Sequence, residues 1–294
     1  MEPDFIDSSH TVMLADGRKL GYAQYGVSDG TPVIYCHGFP GCRYEAALTH
    51  VAAQKLGINI IAIDRPGYGQ SDFKIDRRIS DWPADVEAVT AHLGIDRFAV
   101  LGVSGGAPYA LACAQQLGQR ITRLGLVCPL GSLVLFTSTR GMGWIEKLFI
   151  DLMRYVPTIA RAIYSYVVGP VMAWQPGLAL AILTSVAPPA DLKVLRDPTV
   201  NSIIQRSIRE AFLHGGRAAA WDFYLFVHQW DIDPSAVQTA TELWHGEADC
   251  TVPIAMGRNY AAQIPHCQSH YLPEQGHFSL PVTKMEEILG VLIS

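Results

Sequence analysis

Gly102-Val103-Ser104-Gly105-Gly106 sets a serine two residues after one glycine and two residues before another. An apolar β-type run, 98–103, leads into it, and an alanine- and leucine-rich helical pattern, 109–117, follows. At a strand-to-helix turn this spacing forms a nucleophile elbow, in which Ser104 takes strained backbone geometry with its hydroxyl exposed. The flanking glycines let strand and helix approach without a Cβ in the way. Pro108 falls in the first helical turn, where it costs no intrahelical hydrogen bond. A helix N-terminus below Ser104 favours the negative charge that an acyl-transfer oxyanion carries. Outside that setting the same five residues read as an ordinary glycine-rich turn.

A serine hydroxyl is a weak nucleophile at neutral pH and needs a general base, most often a histidine oriented by a carboxylate. Among ten histidines, His277 stands in a turn-rich loop, Pro273-Glu274-Gln275-Gly276-His277-Phe278, just past the last strand pattern. Asp249 occupies the loop after the preceding strand. A carboxylate after the strand ending at Cys128 would serve as well, but Pro129-Leu130-Gly131 offers none. Taken alone, Asp249 reads as a turn-forming residue ahead of Val252-Pro253. His37 and His245, each before a glycine at a strand end, read as rings hydrogen-bonded to backbone at the sheet's rim. His228, in the aromatic stretch 221–230, reads as packing.

The elements that must carry these residues show a regular rhythm. Residues 11–15 and 19–25 flank the Asp16-Gly17 turn as an opening hairpin. Short apolar strands follow at 33–36, 58–63, 98–103 and 121–128, alternating with helical patterns at 43–56, 81–93 and 109–117. Such alternation predicts a mostly parallel sheet covered by helices on both faces, with a site at the carboxyl ends of its strands. The loops 37–41, 64–72 and 103–106 all follow strands and so should cluster at one rim.

Between 131 and 234 the strand rhythm is lost. Helical patterns at 142–155, 158–168, 176–186 and 203–213 are separated by Pro157, Pro170, Pro176, Pro188 and Pro189. Residues 162–190 carry no charged side chain, yet Pro170, Pro176 and Gly177 divide them into pieces too short to cross a bilayer. A helical insertion with an apolar inner face is expected, leaving room for weak peripheral contact with lipid. Strands return at 239–244 and 268–272, and a helix over 282–292 closes the chain. The expected organisation is a core of 1–130 plus 235–294, interrupted by a helical cap over 131–234.

Composition narrows the function. The chain has 294 residues, 49% of them hydrophobic and 17% charged, enough for one large folded unit. A net charge of −5 argues against nucleic acid as a partner. The six cysteines have no paired spacing and read as buried small residues in a reducing compartment. Residues 1–10 lack a basic start followed by an apolar run, so no signal peptide is expected and the cytoplasm is the default. No histidine spacing marks a metal and no glycine motif marks a nucleotide, so no cofactor is expected.

With these residues placed, the chain resembles the serine hydrolases of the α/β-hydrolase superfamily that carry a helical cap. HGFPG, DRPGYGQSD, GVSGG, HGEADCTVP and EQGHF carry the resemblance over 10–130 and 239–294. It implies the α/β-hydrolase fold and the chain order Ser104, Asp249, His277 for nucleophile, acid and base. It also implies an oxyanion hole from the backbone N–H groups of Phe39 and Gly105. A serine in the elbow, where dehalogenases and epoxide hydrolases of the family carry aspartate, disfavours those chemistries. The implied activity is cleavage of a carboxylic ester through an acyl-enzyme. Carbon–carbon, lactone, thioester or amide cleavage, perhydrolysis, and a receptor that binds with little turnover stay open. In the cap, Trp144, Trp174, Phe223, Tyr224 and Phe226 are candidates to line an apolar substrate pocket.

Overall fold

The computed structural model describes residues 9–134, 142, 144–185 and 187–294; the side chains of residues 144–146 and 183 lie outside that description. Its frame is one eight-stranded sheet ordered β1-β2-β4-β3-β5-β6-β7-β8. The strands are β1 (Ser9–Met13), β2 (Lys19–Gly26), β3 (Thr31–Cys36), β4 (Ile58–Ile63), β5 (Phe98–Val103), β6 (Ile121–Val127), β7 (Thr241–Gly246) and β8 (Cys267–Leu272). Strands β1 and β2 form the expected hairpin, and β2 runs antiparallel to β4. All pairings from β4 across to β8 are parallel.

Three helices cover the first half of the sheet: α1 (His50–Leu56), α2 (Trp82–His92) and α3 (Ala107–Gln116). Two later ones, α11 (Ile254–Gln263) and α13 (Met285–Leu292), cover the second half, with the short α12 (Ser279–Thr283) between them. Alternate strand residues enter opposite cores, as a two-sided sheet requires. Ile34 and Cys36 pack with Val86, Val89 and Tyr109 of α2 and α3. Val33 and Tyr35 pack on the other side, in the core that holds Ala53 of α1 and Ile288, Leu289 and Leu292 of α13. Strands β4, β5 and β7 are buried along their whole length, and for β4 and β5 that is why the sequence reads as a continuous rather than an alternating run.

Among the described residues, seven α-helices stand between β6 and β7: α4 (Trp144–Tyr155), α5 (Pro157–Ile163), α6 (Gly169–Trp174), α7 (Pro176–Leu183), α8 (Pro189–Leu195), α9 (Pro198–Ala211) and α10 (Arg217–Val227). The sequence reading expected Pro170 to break the chain here. Instead α5 continues through a π-turn, Tyr164–Val168, into α6, with Pro170 in that helix's first turn. The widened turn leaves the Ser165 carbonyl to accept the Gly216 N–H at 3.2 Å. Gly169 and Gly216 meet there so closely that a Cβ on Gly169 would fall 2.4 Å from the Gly216 Cα.

Helix α8 was not expected, because Pro188 and Pro189 were read as punctuation. Pro189 in fact opens the helix, and Asp191 sits in its first turn. Helix α10 was read only as an aromatic stretch. Among the described residues no helix is long and apolar enough to cross a membrane.

Candidate active site

Because β3 to β8 are parallel, their carboxyl ends share one rim, and the loops after all six meet there. Ser104 follows β5 directly and is one of three non-glycine described residues with positive φ, at +51°. That conformation costs roughly 1–3 kcal/mol and persists only where neighbours hold it. Here the Leu130 N–H donates to the Ser104 carbonyl at 3.0 Å, tying the elbow to the end of β6. The neighbouring glycines are required by space. A Cβ on Gly102 would lie 2.6 Å from the Ala110 Cβ, and one on Gly106 would lie 2.0 Å from the Cys36 carbonyl oxygen.

His277 Nε2 lies 3.0 Å from Ser104 Oγ, and its Nδ1 lies 2.8 Å from Asp249 Oδ2. The second Asp249 oxygen, Oδ1, accepts the N–H groups of Thr251 and Val252, each at 2.8 Å. The turn that Asp249 forms and the contact it makes with His277 thus use different oxygens, so the two sequence readings of this residue are compatible. All three side chains are buried.

Burial disfavours the charged form of His277, but the Asp249 carboxylate outweighs it, with smaller contributions from Asp191 and Glu45. The imidazole pKa is raised above its ordinary value. Burial likewise pushes the Asp249 carboxyl up, and the His277 imidazole more than offsets that, leaving it below the ordinary carboxylate value.

Phe39 and Gly105 are adjacent at this rim. A Cβ on Gly105 would sit 3.2 Å from the Phe39 backbone nitrogen, and the first N–H groups of the following helix have no intrahelical acceptor. The His37-Gly38-Phe39 loop is fixed from several directions. Arg65 donates to the carbonyl oxygens of His37 and Gly38. The His37 ring accepts the Arg65 N–H at Nε2 (3.2 Å), which leaves Nδ1 to donate to the Gly38 carbonyl (2.9 Å). His245 donates from Nε2 to the Val252 carbonyl at 2.9 Å. Burial holds both rings below the ordinary histidine pKa, so both are neutral backbone anchors at neutral pH. The His228 ring packs on Tyr224 with centroids 4.0 Å apart.

Glu45 was missed in the sequence. Its Oε1 accepts the Gly38 N–H and the Tyr35 hydroxyl, both at 2.9 Å, and its carboxyl borders the same cavity as Ser104. Burial raises its pKa. Nothing in the local pattern marked it, since a glutamate in the first turn of a helical segment is commonplace.

The cavity over Ser104 measures about 100 Å³ and is mostly apolar. Leu180 of α7 and Ile204, Ser207 and Ile208 of α9 line it from the helices between β6 and β7; Leu48, Val103, Phe278 and Val282 line it from the rest of the chain. None of the four expected aromatic residues whose side chains are described, Trp174, Phe223, Tyr224 and Phe226, is among its lining. Trp174 is 80% exposed on the outer surface, because its helix turns the opposite face inward. Phe226 is buried, edge-on to Phe39 and Tyr109, and Phe223 packs between Phe39 and Tyr164. Tyr224 is engaged with Trp221 and Arg161, and the Trp144 side chain lies outside the described residues. These large rings wedge α10 against the core, so the smaller aliphatic residues of α7 and α9 are left to face the cavity.

A model of the alpha/beta hydrolase fold matches residues 31–282. The chain belongs to the α/β-hydrolase family. Over 104 residues this α/β-hydrolase is 36% identical to a proline iminopeptidase of Xanthomonas citri, covering 34% of its own chain and 32% of that protein. It thus spans about a third of that relative's length. It is 25% identical to a non-heme haloperoxidase of Rhodococcus erythropolis over 258 residues, 86% of each chain. An esterase from Exiguobacterium antarcticum superposes on 97% of this α/β-hydrolase and 99% of itself, with a TM-score of 0.69 and 18% identity.

Proposed function

We propose that this α/β-hydrolase is a serine hydrolase that cleaves a carboxylic ester with an apolar acyl or alcohol part. The observation that carries the reading is the unbroken line Asp249–His277–Ser104, ending at a strained serine that opens on an apolar cavity. Ser104 Oγ attacks the acyl carbon while His277 Nε2 takes its proton. Asp249 holds the ring and stabilises the imidazolium. The N–H groups of Phe39 and Gly105 receive the oxyanion. As the tetrahedral intermediate collapses, Nε2 returns the proton to the departing alcohol, and water then releases the acid from Ser104 by the same steps. Residues 131–234 act as the cap that excludes solvent and shapes the cavity.

The cavity is small beside the roughly 300–1,000 Å³ of drug-sized sites, which favours a short acyl group. Amide cleavage is the second reading, supported by the local identity to a proline iminopeptidase. A fluorophosphonate probe together with p-nitrophenyl esters of rising chain length and a matched anilide tests both. Labelling with ester turnover supports the first reading; anilide turnover exceeding ester turnover replaces it with the second. Tight ligand retention without turnover would point instead to a receptor.

A further inference from the structure

Asp191 belongs to α8, in the helical insertion, yet it reaches into the loop that carries His277. Its Oδ2 accepts the His277 N–H at 2.9 Å, and its Oδ1 accepts those of Phe278 and Ser279 at 3.1 and 2.8 Å. Three consecutive backbone donors therefore converge on a single carboxylate that is 1% exposed. Two of them open α12, where no intrahelical acceptor exists. Bonds of this kind to an ionised carboxylate are among the stronger hydrogen bonds in proteins.

The residue before His277 is shaped to admit it. A Cβ on Gly276 would fall 2.4 Å from Asp191 Oδ1 and 2.5 Å from Oδ2. The glycine in EQGHF thus has a spatial reason that its own loop does not supply. The carboxylate comes from 86 positions earlier in the chain.

We infer that Asp191 is a positioning residue for His277, so that the general base is correctly placed only while α8 is docked on its loop. The inference rests on the reading of Ser104 and His277 given above. It makes the helical insertion part of the machinery that aligns the base, besides a cover for the cavity. The charge matters as well as the geometry. His277 faces Asp249 from the loop after β7, Asp191 from α8 and Glu45 from the segment after β3, with His245 and the Cys128 thiol nearby. Both rim histidines other than the base are uncharged at neutral pH, and burial keeps the Cys128 thiol protonated. Removing the Asp191 charge should therefore lower the pKa of His277.

The test uses the full chain as Asp191→Asn, Gly276→Ala and the double variant, with p-nitrophenyl butyrate from about pH 5.5 to 9. Gly276→Ala serves as the second route, since its Cβ displaces the carboxylate without altering it. Each single variant should lower kcat at least about ten-fold with KM within about two-fold, as a displaced catalytic group does. In each, the acid limb of the pH profile should move to lower pH. The double variant should be no worse than Asp191→Asn. A structural cap alone would lower the melting temperature and leave the acid limb in place; that result, or additive losses, overturns the inference. Absence of fluorophosphonate labelling in the wild type overturns the hydrolase reading and this inference with it. A labelled wild type with undiminished variants overturns this inference only.

Discussion

Asp222 of α10 and Arg65 of the DRPGYGQSD loop form a fully buried ion pair, Oδ2 to Nε at 2.9 Å. The same carboxylate pairs with Arg77 and accepts the hydroxyls of Tyr68 and Tyr109. Burial alone would raise the Asp222 pKa, but the two guanidinium groups hold it well below the ordinary carboxylate range. Since Arg65 also grips the His37 and Gly38 carbonyls, one carboxylate in the helical insertion is linked to the loop that presents Phe39.

Asp222→Ala should therefore be among the most destabilising single changes in the chain. It leaves Arg65 and Arg77 buried without their counter-ion, a loss of about 3–5 kcal/mol for pairs of this kind. Urea unfolding of the wild type and variant measures it, and a change under about 1 kcal/mol would contradict the assignment.

Ser104→Ala should abolish fluorophosphonate labelling and reduce ester turnover on the order of a million-fold, with the fold intact by circular dichroism. Persistent labelling at full stoichiometry would move the nucleophile elsewhere.

Asp249→Asn should lower kcat by roughly four orders of magnitude, because the amide favours the wrong tautomer of His277. The pH profile gives a second readout. His277 must be neutral to accept the serine proton, and its pKa is raised, so wild-type activity should rise with pH through a midpoint above 6.5. Loss of the Asp249 charge leaves burial dominant and should shift that midpoint down. Stability follows the opposite sense. A raised histidine pKa stabilises the fold fully below 6.5, and that contribution is lost as pH rises through the folded-state value. The lowered Asp249 pKa stabilises above 3.8 and is lost as pH falls through its own folded-state value. Chemical denaturation across pH should show the wild type's advantage over Asp249→Asn greatest between those limits.

Glu45→Ala frees the Gly38 N–H and the Tyr35 hydroxyl together, loosening the loop ahead of Phe39. The expected result is a kcat lower by about ten- to a hundred-fold, less than the roughly hundred- to thousand-fold that follows outright loss of an oxyanion donor, because the N–H groups themselves remain. Glu45→Gln keeps an acceptor and should lose less. Steady-state kinetics on one short ester checks both, and equal losses would remove the loop-anchoring role.

Ile204→Ala enlarges the side of the cavity that α9 lines. The preferred p-nitrophenyl ester should lengthen by about two or three carbons, roughly the volume removed. A chain-length series with the optimum unmoved would show that the acyl group binds elsewhere.

Local chemistry made much of this legible in the amino-acid order. The glycine two before Ser104 acts through contact with its own helix, so an elbow can be read from a dozen residues, whereas Gly106 answers to the end of β3 at Cys36. Strand ends followed by turn-rich loops placed residues 39, 104, 249 and 277 at one rim, because parallel strands must all end on the same side. Tertiary structure decided what distance along the chain conceals. The hairpin strand β2 lies beside β4 rather than β3, a choice made by sheet packing and invisible to periodicity. Pro170 is accommodated within a helical run, since a π-turn and the Gly216 N–H absorb what a regular helix would forfeit. Phe223 and Phe226 of α10 pack against Phe39, and α7 and α9 contribute the smaller residues Leu180, Ile204, Ser207 and Ile208 to the cavity. Asp191, Asp222 and Glu45 carry no signal at their own positions. Each acquires its role from donors supplied by another segment, and only the folded chain brings those donors within hydrogen-bond reach.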